Sequence, residues 1–162
     1  MDIHDAQPDD LAGVLTIYND VIATSTAIYS DRPVTLEDRR QWWQARVDLG
    51  YPVLVARDGS GVVGFASFGD FRSWPGYRFT VEHSVHVRAD CRGRGIGTAL
   101  MGPLIERAAA IGKHVMIAGV DADNGRSIKF HEQLGFVRVA HLKEVGFKFD
   151  RWLDLVLLQR HV

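Results

Sequence analysis

Val81 to Met101 reads VEHSVHVRADCRGRGIGTALM, and its two halves decide the fold. The first half belongs to an alternating stretch that starts at Tyr77. Tyr77, Phe79, Val81, His83, Val85 and Val87 fall on one face, and Arg78, Thr80, Glu82, Ser84 and His86 on the other, which is the period of a strand. The second half, Arg92-Gly93-Arg94-Gly95-Ile96-Gly97-Thr98, is a glycine-rich turn that opens a helix. Leu100, Leu104, Ala108 and Ile111 carry that helix's apolar stripe and Gly112 ends it, while Pro103 is expected to kink it. The first N–H groups of a helix lack partners and sit at the positive end of its dipole. Glycines let a ligand approach that backbone closely. The turn therefore suits a phosphate or pyrophosphate, and Arg92 and Arg94 add positive charge. A dinucleotide fingerprint fails at Thr98, and the G-K-[ST] of a Walker A loop is absent. A tight strand-to-helix turn with no ligand is the plainer alternative.

Upstream, Ile3 to Ala6 reads as a short strand, and Pro8, Asp9 and Asp10 suit the first turn of a helix carrying Leu11, Val14, Leu15, Tyr18 and Ile22. Ala23 to Pro33 reads as a loop. Thr35 with Asp38 resembles a capping box for a helix that Gly50 stops. Val53 to Arg57 and Val62 to Phe68, joined by Asp58-Gly59-Ser60-Gly61, make a hairpin, and Arg72 to Gly76 connects it to the next strand. Downstream come a strand, His114 to Val120, a short helix, Asn124 to Leu134, and two strands, Phe136 to His141 and Phe149 to Leu158. The order β-α-α-β-β-β-α-β-α-β-β predicts an α/β (α+β) fold, a mixed, mostly antiparallel sheet with helices on both faces.

The 162 residues fit a single domain, 1–162. With 46% hydrophobic and 24% charged residues the chain matches soluble globular averages, so disorder is excluded. A net charge of −1 lacks the basic excess of a nucleic-acid binder. The single Cys91 excludes an internal disulfide and a multi-cysteine metal site, and reads as a loop thiol. His83 and His86 fall on opposite strand faces, and His4, His114, His141 and His161 show no ligand spacing, so no metal is expected. No membrane-length apolar run and no secretory signal are read, which makes the cytoplasm the expected location.

The R-G-x-G-I-G turn after an alternating strand resembles the GNAT superfamily of N-acetyltransferases. Asn124, Ser127 and Phe130-His131-Glu132-Gln133-Leu134-Gly135-Phe136 resemble that superfamily's later N-x-x-[SA]…L-[YH]-E-x-L-G-F segment. The element order agrees as well. Thr80-Val81-Glu82-His83-Ser84-Val85, Gly119 to Asn124 and Glu144 to Asp154 are similar to the phosphinothricin N-acetyltransferase group, which includes enzymes acting on methionine sulfoximine and methionine sulfone.

The resemblance implies acetyl-CoA as co-substrate, held by the backbone of Val85, His86 and Val87, by Arg92, Gly93, Arg94, Gly95, Ile96, Gly97 and Thr98, and by Asn124 and Ser127. It implies direct attack of an amino-acid analogue's α-amine on the thioester. A free α-amine has a pKa of about 7.7–8.0, so a modest base suffices. Glu82 is the expected base, a carboxylate mid-strand where Glu is uncommon. His131 stands where the superfamily usually has Tyr, as the expected acid for the leaving thiolate. Hydrogen bonding within its helix is the alternative. Arg72, Ser73, Trp74, Pro75 and Arg78, with Glu82, His83 and Ser84, are the expected substrate contacts. Arg72 and Arg78 are candidate carboxylate clamps, and Trp74, Tyr77 and Ile28 candidate walls. Phe147, Phe149, Trp152, Leu153 and Leu155 suggest a homodimer interface. Acetylation of a peptide amine and a catalytically silent CoA-binding sensor remain alternatives. Resistance to a toxin and housekeeping detoxification look alike at this level.

Overall fold

A computed structural model describes all of residues 1–162. The strands are β1 (Asp2–Asp5), β2 (Val53–Asp58), β3 (Gly61–Asp70), β4 (Thr80–Val87), β5 (Val115–Asp121), β6 (Val137–Lys148) and β7 (Arg151–His161). The helices are α1 (Leu11–Thr24), α2 (Leu36–Asp48), α3 (Ile96–Ala110) and α4 (Gly125–Gln133). The helix starts are locally encoded. Thr35 Oγ1 accepts from the Asp38 N–H at 3.1 Å, and the Asp38 carboxylate accepts from the Thr35 N–H at 2.7 Å, closing the capping box of α2. Asn124 Oδ1 accepts from the Ser127 N–H at 3.0 Å and caps α4.

The strands form one seven-stranded sheet in the order β1-β2-β3-β4-β5-β7-β6. Every pairing is antiparallel except β4 with β5. The run Val53-Leu54-Val55-Ala56 explains how the sheet is covered on both faces. Leu54 and Ala56 pack with Leu100, Leu104 and Met116 on the α3 side, while Val53 and Val55 pack with Val14, Ile17 and Phe65 beneath α1. The stripe of α3 also includes Met101 and Ile105, both buried, whereas Ile111 is exposed. Pro103 lies inside α3, which continues to Ala110.

Several strand boundaries differ from those expected, and two of them bear on the site. Strand β4 begins at Thr80 rather than Tyr77, because Pro75–Tyr77 forms a 3₁₀ turn and Arg78 adopts right-handed helical backbone. Arg78 therefore does not share a strand face with Glu82. Strand β6 runs on to Lys148 instead of stopping at His141. Its register shifts between Leu142 and Gly146, where Glu144 has φ 55°, and the Asp154 carboxylate accepts the Glu144 N–H at 2.8 Å. That bond satisfies the irregular backbone past His141, where the strand was expected to stop.

Candidate active site

Strands β4 and β5 pair only from Thr80–Val115 to Glu82–Ile117, yet they continue to Val87 and Asp121. Past Glu82 the two strands diverge. The backbone of Ser84 to Val87 is bonded to β3 on one side and has no strand on the other. The gap opens toward the start of α3. There Gly93 and Gly95 hold φ of 79° and 77°, values that L side chains rarely adopt. Gly95 is the N-cap, and the Ala99 N–H is bonded to its carbonyl, so the preceding helical N–H groups face outward. A methyl group on Gly97 would meet the Phe130 ring at 3.3 Å. The residues present fit a pyrophosphate at the turn and an extended chain laid along β4.

A cavity of ≈ 780 Å³ follows this gap. At one end lie Arg92, Gly93, Gly95, Gly97, Thr98 and Arg126, and at the other Tyr18, Ser25, Ala27, Ile28, Arg39 and Trp42. Glu82, His83, Ser84, Val85, His86, Val87, Asn124, Ser127 and His131 lie between them. Ile96 also lines it, although its side chain is in the core. Arg94 does not reach the cavity and sits 3.9 Å from Asp58. Cys91 is a buried core residue rather than a loop thiol.

The expected substrate loop is not at the cavity. Arg72, Ser73, Trp74, Pro75, Tyr77 and Arg78 lie on an exposed connection outside its lining, with Trp74 74% exposed. Arg72 lies over the Phe71 and Tyr77 rings, and Arg78 over Phe79. Of the walls proposed from sequence, only Ile28 lines the cavity. Sequence reasoning missed Tyr18, Arg39, Trp42, Phe65 and Arg126. The spacing of Arg39, Trp42 and Arg46 on α2 was an available signal, because it places arginines on the helix face that carries tryptophan.

The cavity wall opposite the glycine turn is pinned from the far hairpin. Lys148 Nζ donates to the Ser25 and Ile28 carbonyls at 2.5 and 2.9 Å. The Tyr29 hydroxyl donates to the Asp154 carbonyl at 2.9 Å, and Thr26 donates to the Asp121 carboxylate.

Glu82 keeps contact with solvent through the cavity, and partial burial raises its pKa above the ordinary carboxylate value. Its Oε1 lies over Gly119 of β5, where a methyl group would come within 3.0 Å of it. His131 Nδ1 lies 2.7 Å from the Ser127 carbonyl, which can only accept. His131 Nε2 lies 3.2 Å from His83 Nε2. From these partners His131 carries its proton on Nδ1, and His83 donates from Nε2. His83 Nδ1 is left buried without a partner. Both nitrogens of the expected acid are thus engaged, and burial lowers its pKa.

Burial pulls His83 down to about 3, with the neighbouring His131 and His86 adding to it. Burial, then Arg92 and Arg39, pulls His86 down to about 4. The unfolded chain protonates these histidines near the ordinary value of about 6.5, while the folded chain resists. Their contribution to stability is complete above that value and declines as pH falls toward the folded values. The melting temperature is expected to drop steadily from pH 6.5 to 5, before most carboxylates titrate. A flat profile in that window would refute the buried neutral pair.

The family model described as Acetyltransferase (GNAT) family matches residues 14–136. The chain belongs to the GNAT acetyltransferase family. This acetyltransferase is 51% identical, over 97% of its length and 92% of the relative's, to the L-methionine sulfoximine/L-methionine sulfone acetyltransferase of Pseudomonas paraeruginosa. Its fold matches that of a ribosomal-protein-alanine N-acetyltransferase from Brucella melitensis with a TM-score of 0.98 and 44% identity, covering 100% of both chains. It also matches a phosphinothricin acetyltransferase from Sinorhizobium meliloti solved with acetyl-CoA, with a TM-score of 0.95 and 35% identity, covering 99% of this chain and 88% of that one. GNAT acetyltransferases use acetyl-CoA. No helix of this acetyltransferase is long and apolar enough to cross a membrane.

Proposed function

We propose that this acetyltransferase transfers the acetyl group of acetyl-CoA to the α-amine of a small amino-acid analogue of the methionine sulfoximine and methionine sulfone type. The observation that carries the reading is the continuous cavity from the α3 glycine turn, past the unpaired edge of β4, to the Glu82 carboxylate. Acetyl-CoA supplies an activated thioester. Gly93, Gly95, Gly97 and Thr98, with Arg92 and Arg126, hold its pyrophosphate, and the N–H and C=O groups of Val85 to Val87 hold its arm. An N–H of the same edge is placed to donate to the thioester oxygen. Glu82 accepts the proton of the amine, directly or through a water. A thiol of pKa about 8.5 leaves readily as its anion, so the committed Nδ1 proton of His131 is not required. His131 and His83 instead tie α4 to β4. Asn124 acts by capping α4 beneath the arm.

Release of CoA, followed with methionine sulfone, methionine sulfoximine, phosphinothricin, lysine and an alanine-ended peptide, tests the reading. Turnover of the sulfone or sulfoximine supports it. Turnover of the peptide alone would replace it with a protein-amine reading, which the likeness to the Brucella structure keeps in view.

The proposal includes a homodimer. β6 is the sheet edge, and Val145, Phe147, Phe149 and Trp152 stand exposed on its hairpin. Phe147 and Trp152 pack edge-to-face at 4.9 Å. Leu153, expected there from sequence, is instead buried in its own chain. An apolar edge left open invites pairing with a second copy. Light scattering is expected to give twice the chain mass, and the double substitution Phe147→Glu, Trp152→Glu to give one. A monomeric parent protein rejects the dimer.

A further inference from the structure

Two aspartates of the chain are buried, Asp10 and Asp121. Asp10 lies outside the cavity, and its carboxylate meets Arg57 Nη1 at 2.5 Å, the Gln7 N–H at 2.8 Å and His4 Nε2 at 3.3 Å. Asp121, at the end of β5, lines the cavity, is 5% exposed and belongs to no ion pair. Its Oδ1 accepts the Asp123 N–H at 3.1 Å, and its Oδ2 accepts the Thr26 hydroxyl. Cations of the neighbouring hairpin are committed elsewhere, Lys148 to the Ser25 and Ile28 carbonyls and Arg151 to Asp123. The Tyr29 phenol beside Asp121 is neutral, its pKa pushed up to about 12 by burial, with Asp121 and Asp154 adding to it.

Neither bond made by Asp121 calls for a charge. An asparagine would accept the same turn N–H and could donate to Thr26 Oγ1 in return. A buried carboxylate without a cation is costly, and its oxygens have lone pairs left for further donors. Its place on the sheet says which donor. Ala118 and Val120 turn into the core beneath α3, so Gly119 and Asp121 share the other face of β5. Glu82 Oε1 lies over Gly119. The two carboxylates thus stand on one face of the sheet, at successive inward positions along β5, and both line the cavity. An α-amine of pKa about 7.7–8.0 arrives at pH 7 mostly as its ammonium, while attack on a thioester needs the neutral form. A lone base would have to hold the cation and strip it at once.

We propose that Asp121 is the docking carboxylate for the ammonium group of the acceptor, and that Glu82 is the base which then deprotonates it. This rests on the amino-acid reading above. The ammonium donates one N–H to Asp121 and turns another toward Glu82. Glu82 takes the first proton, and the freed lone pair attacks the thioester carbon. As the C–N bond forms and the C–S bond breaks, the nitrogen sheds a second proton, which passes to the CoA thiolate. The site then prefers an acceptor that is cationic at nitrogen over a neutral one of the same shape, because the neutral one leaves the Asp121 charge buried and unpaired.

The test measures dissociation constants by calorimetry for methionine sulfone and for its α-hydroxy counterpart, which carries a hydroxyl in place of the ammonium. Saturating CoA is present, since it has no acetyl group to transfer. The proteins are the unaltered chain, Asp121→Asn, Asp121→Glu and Thr26→Val. The unaltered protein is expected to bind the sulfone about 10- to 100-fold more tightly than the hydroxy compound, the range of one charge-assisted hydrogen bond. Asp121→Asn keeps the turn and is expected to lower that ratio about tenfold or more, with the hydroxy compound and the KM for acetyl-CoA each within about twofold of the parent. Asp121→Glu should restore part of the ratio, and Thr26→Val, which keeps the charge, should preserve it. An unaltered protein indifferent to ammonium or hydroxyl overturns the proposal without any variant. So does an Asp121→Asn protein that keeps the ratio, or one that weakens both compounds alike, which would make Asp121 a prop for the Thr26 segment. A Thr26→Val protein that loses the ratio as fully overturns it too. If the unaltered protein acetylates no amino acid, the amino-acid reading fails and takes this inference with it. If it acetylates them with the ratio untouched by Asp121, only this inference fails.

Discussion

Replacing Glu82 by Gln is expected to lower kcat by about 10²- to 10⁴-fold, the usual range for removing a general base. The KM for acetyl-CoA should hardly move, because the glycine turn and the β4 edge are untouched. Glu82 has no ion-pair partner, and partial burial raises its pKa. Ionised Glu82 is therefore a stability cost in the folded chain. The carboxyl contributes most below its unfolded pKa, and that contribution is lost as pH rises through the raised folded pKa. Glu82→Gln removes the loss, so its melting temperature at pH 7 should equal or exceed that of the parent. A catalytic collapse without thermal loss separates a base from a structural residue, and near-normal kcat would remove Glu82 from the role. Gly119→Ala probes the same atom from below, since its methyl would sit 3.0 Å from Oε1. It should reproduce part of the kcat loss with Glu82 still present.

The second large effect is expected far from the chemistry, at Gly146. A methyl group there would run into the ring of Tyr29. Tyr29 cannot swing away freely. Its hydroxyl is bonded to the Asp154 carbonyl, and burial, with Asp121 and Asp154 nearby, pushes its pKa up to about 12. Overpacking of this kind costs about 1–3 kcal/mol. For a chain of this size each kcal/mol moves the melting temperature by about 2–4 °C. The displaced ring belongs to the segment that supplies Ser25, Ala27 and Ile28 to the acceptor wall. Gly146→Ala should thus raise the KM for the amine while sparing that for acetyl-CoA. Equal damage to both constants would show that the hairpin supports the whole sheet rather than the acceptor wall.

The parts of the fold legible in the sequence are those set by neighbours along the chain. The capping box at Thr35, the hairpin at Asp58 to Gly61 and the turn at Arg92 to Thr98 each encode a local backbone shape. So does the element order that follows from them. The misread boundaries arose where a distant partner decides. The Tyr77 alternation looked like strand until Pro75 imposed a turn. The strand that starts after Phe136 was expected to stop at His141, because the aspartate that satisfies the backbone at Glu144 lies on the next strand. The glycine-turn end of the cavity was readable for the same reason, being one contiguous turn. The opposite end is assembled from α1, α2 and the Ser25–Ile28 loop, so no stretch of sequence displays it whole. Arg72 and Arg78 drew attention as arginines near Glu82 in sequence, while Arg39 reaches the cavity from another helix.

The parting of β4 from β5 has a thermodynamic consequence. Without a third chain between them, the amides of Ser84 to Val87 on that side are left to exchange with water while their neighbours are locked in the ladder. An extended ligand that bonds to this edge acts as an eighth, borrowed strand. Saturating acetyl-CoA at a hundredfold over its dissociation constant would add about 2.7 kcal/mol to the folded state. Deuterium uptake should register that gain along β4 and the first turn of α3, and leave β1 and β2 as they were. On the proposed reading, protection gained along Ser84 to Val87 marks a ladder that the bound cofactor completes.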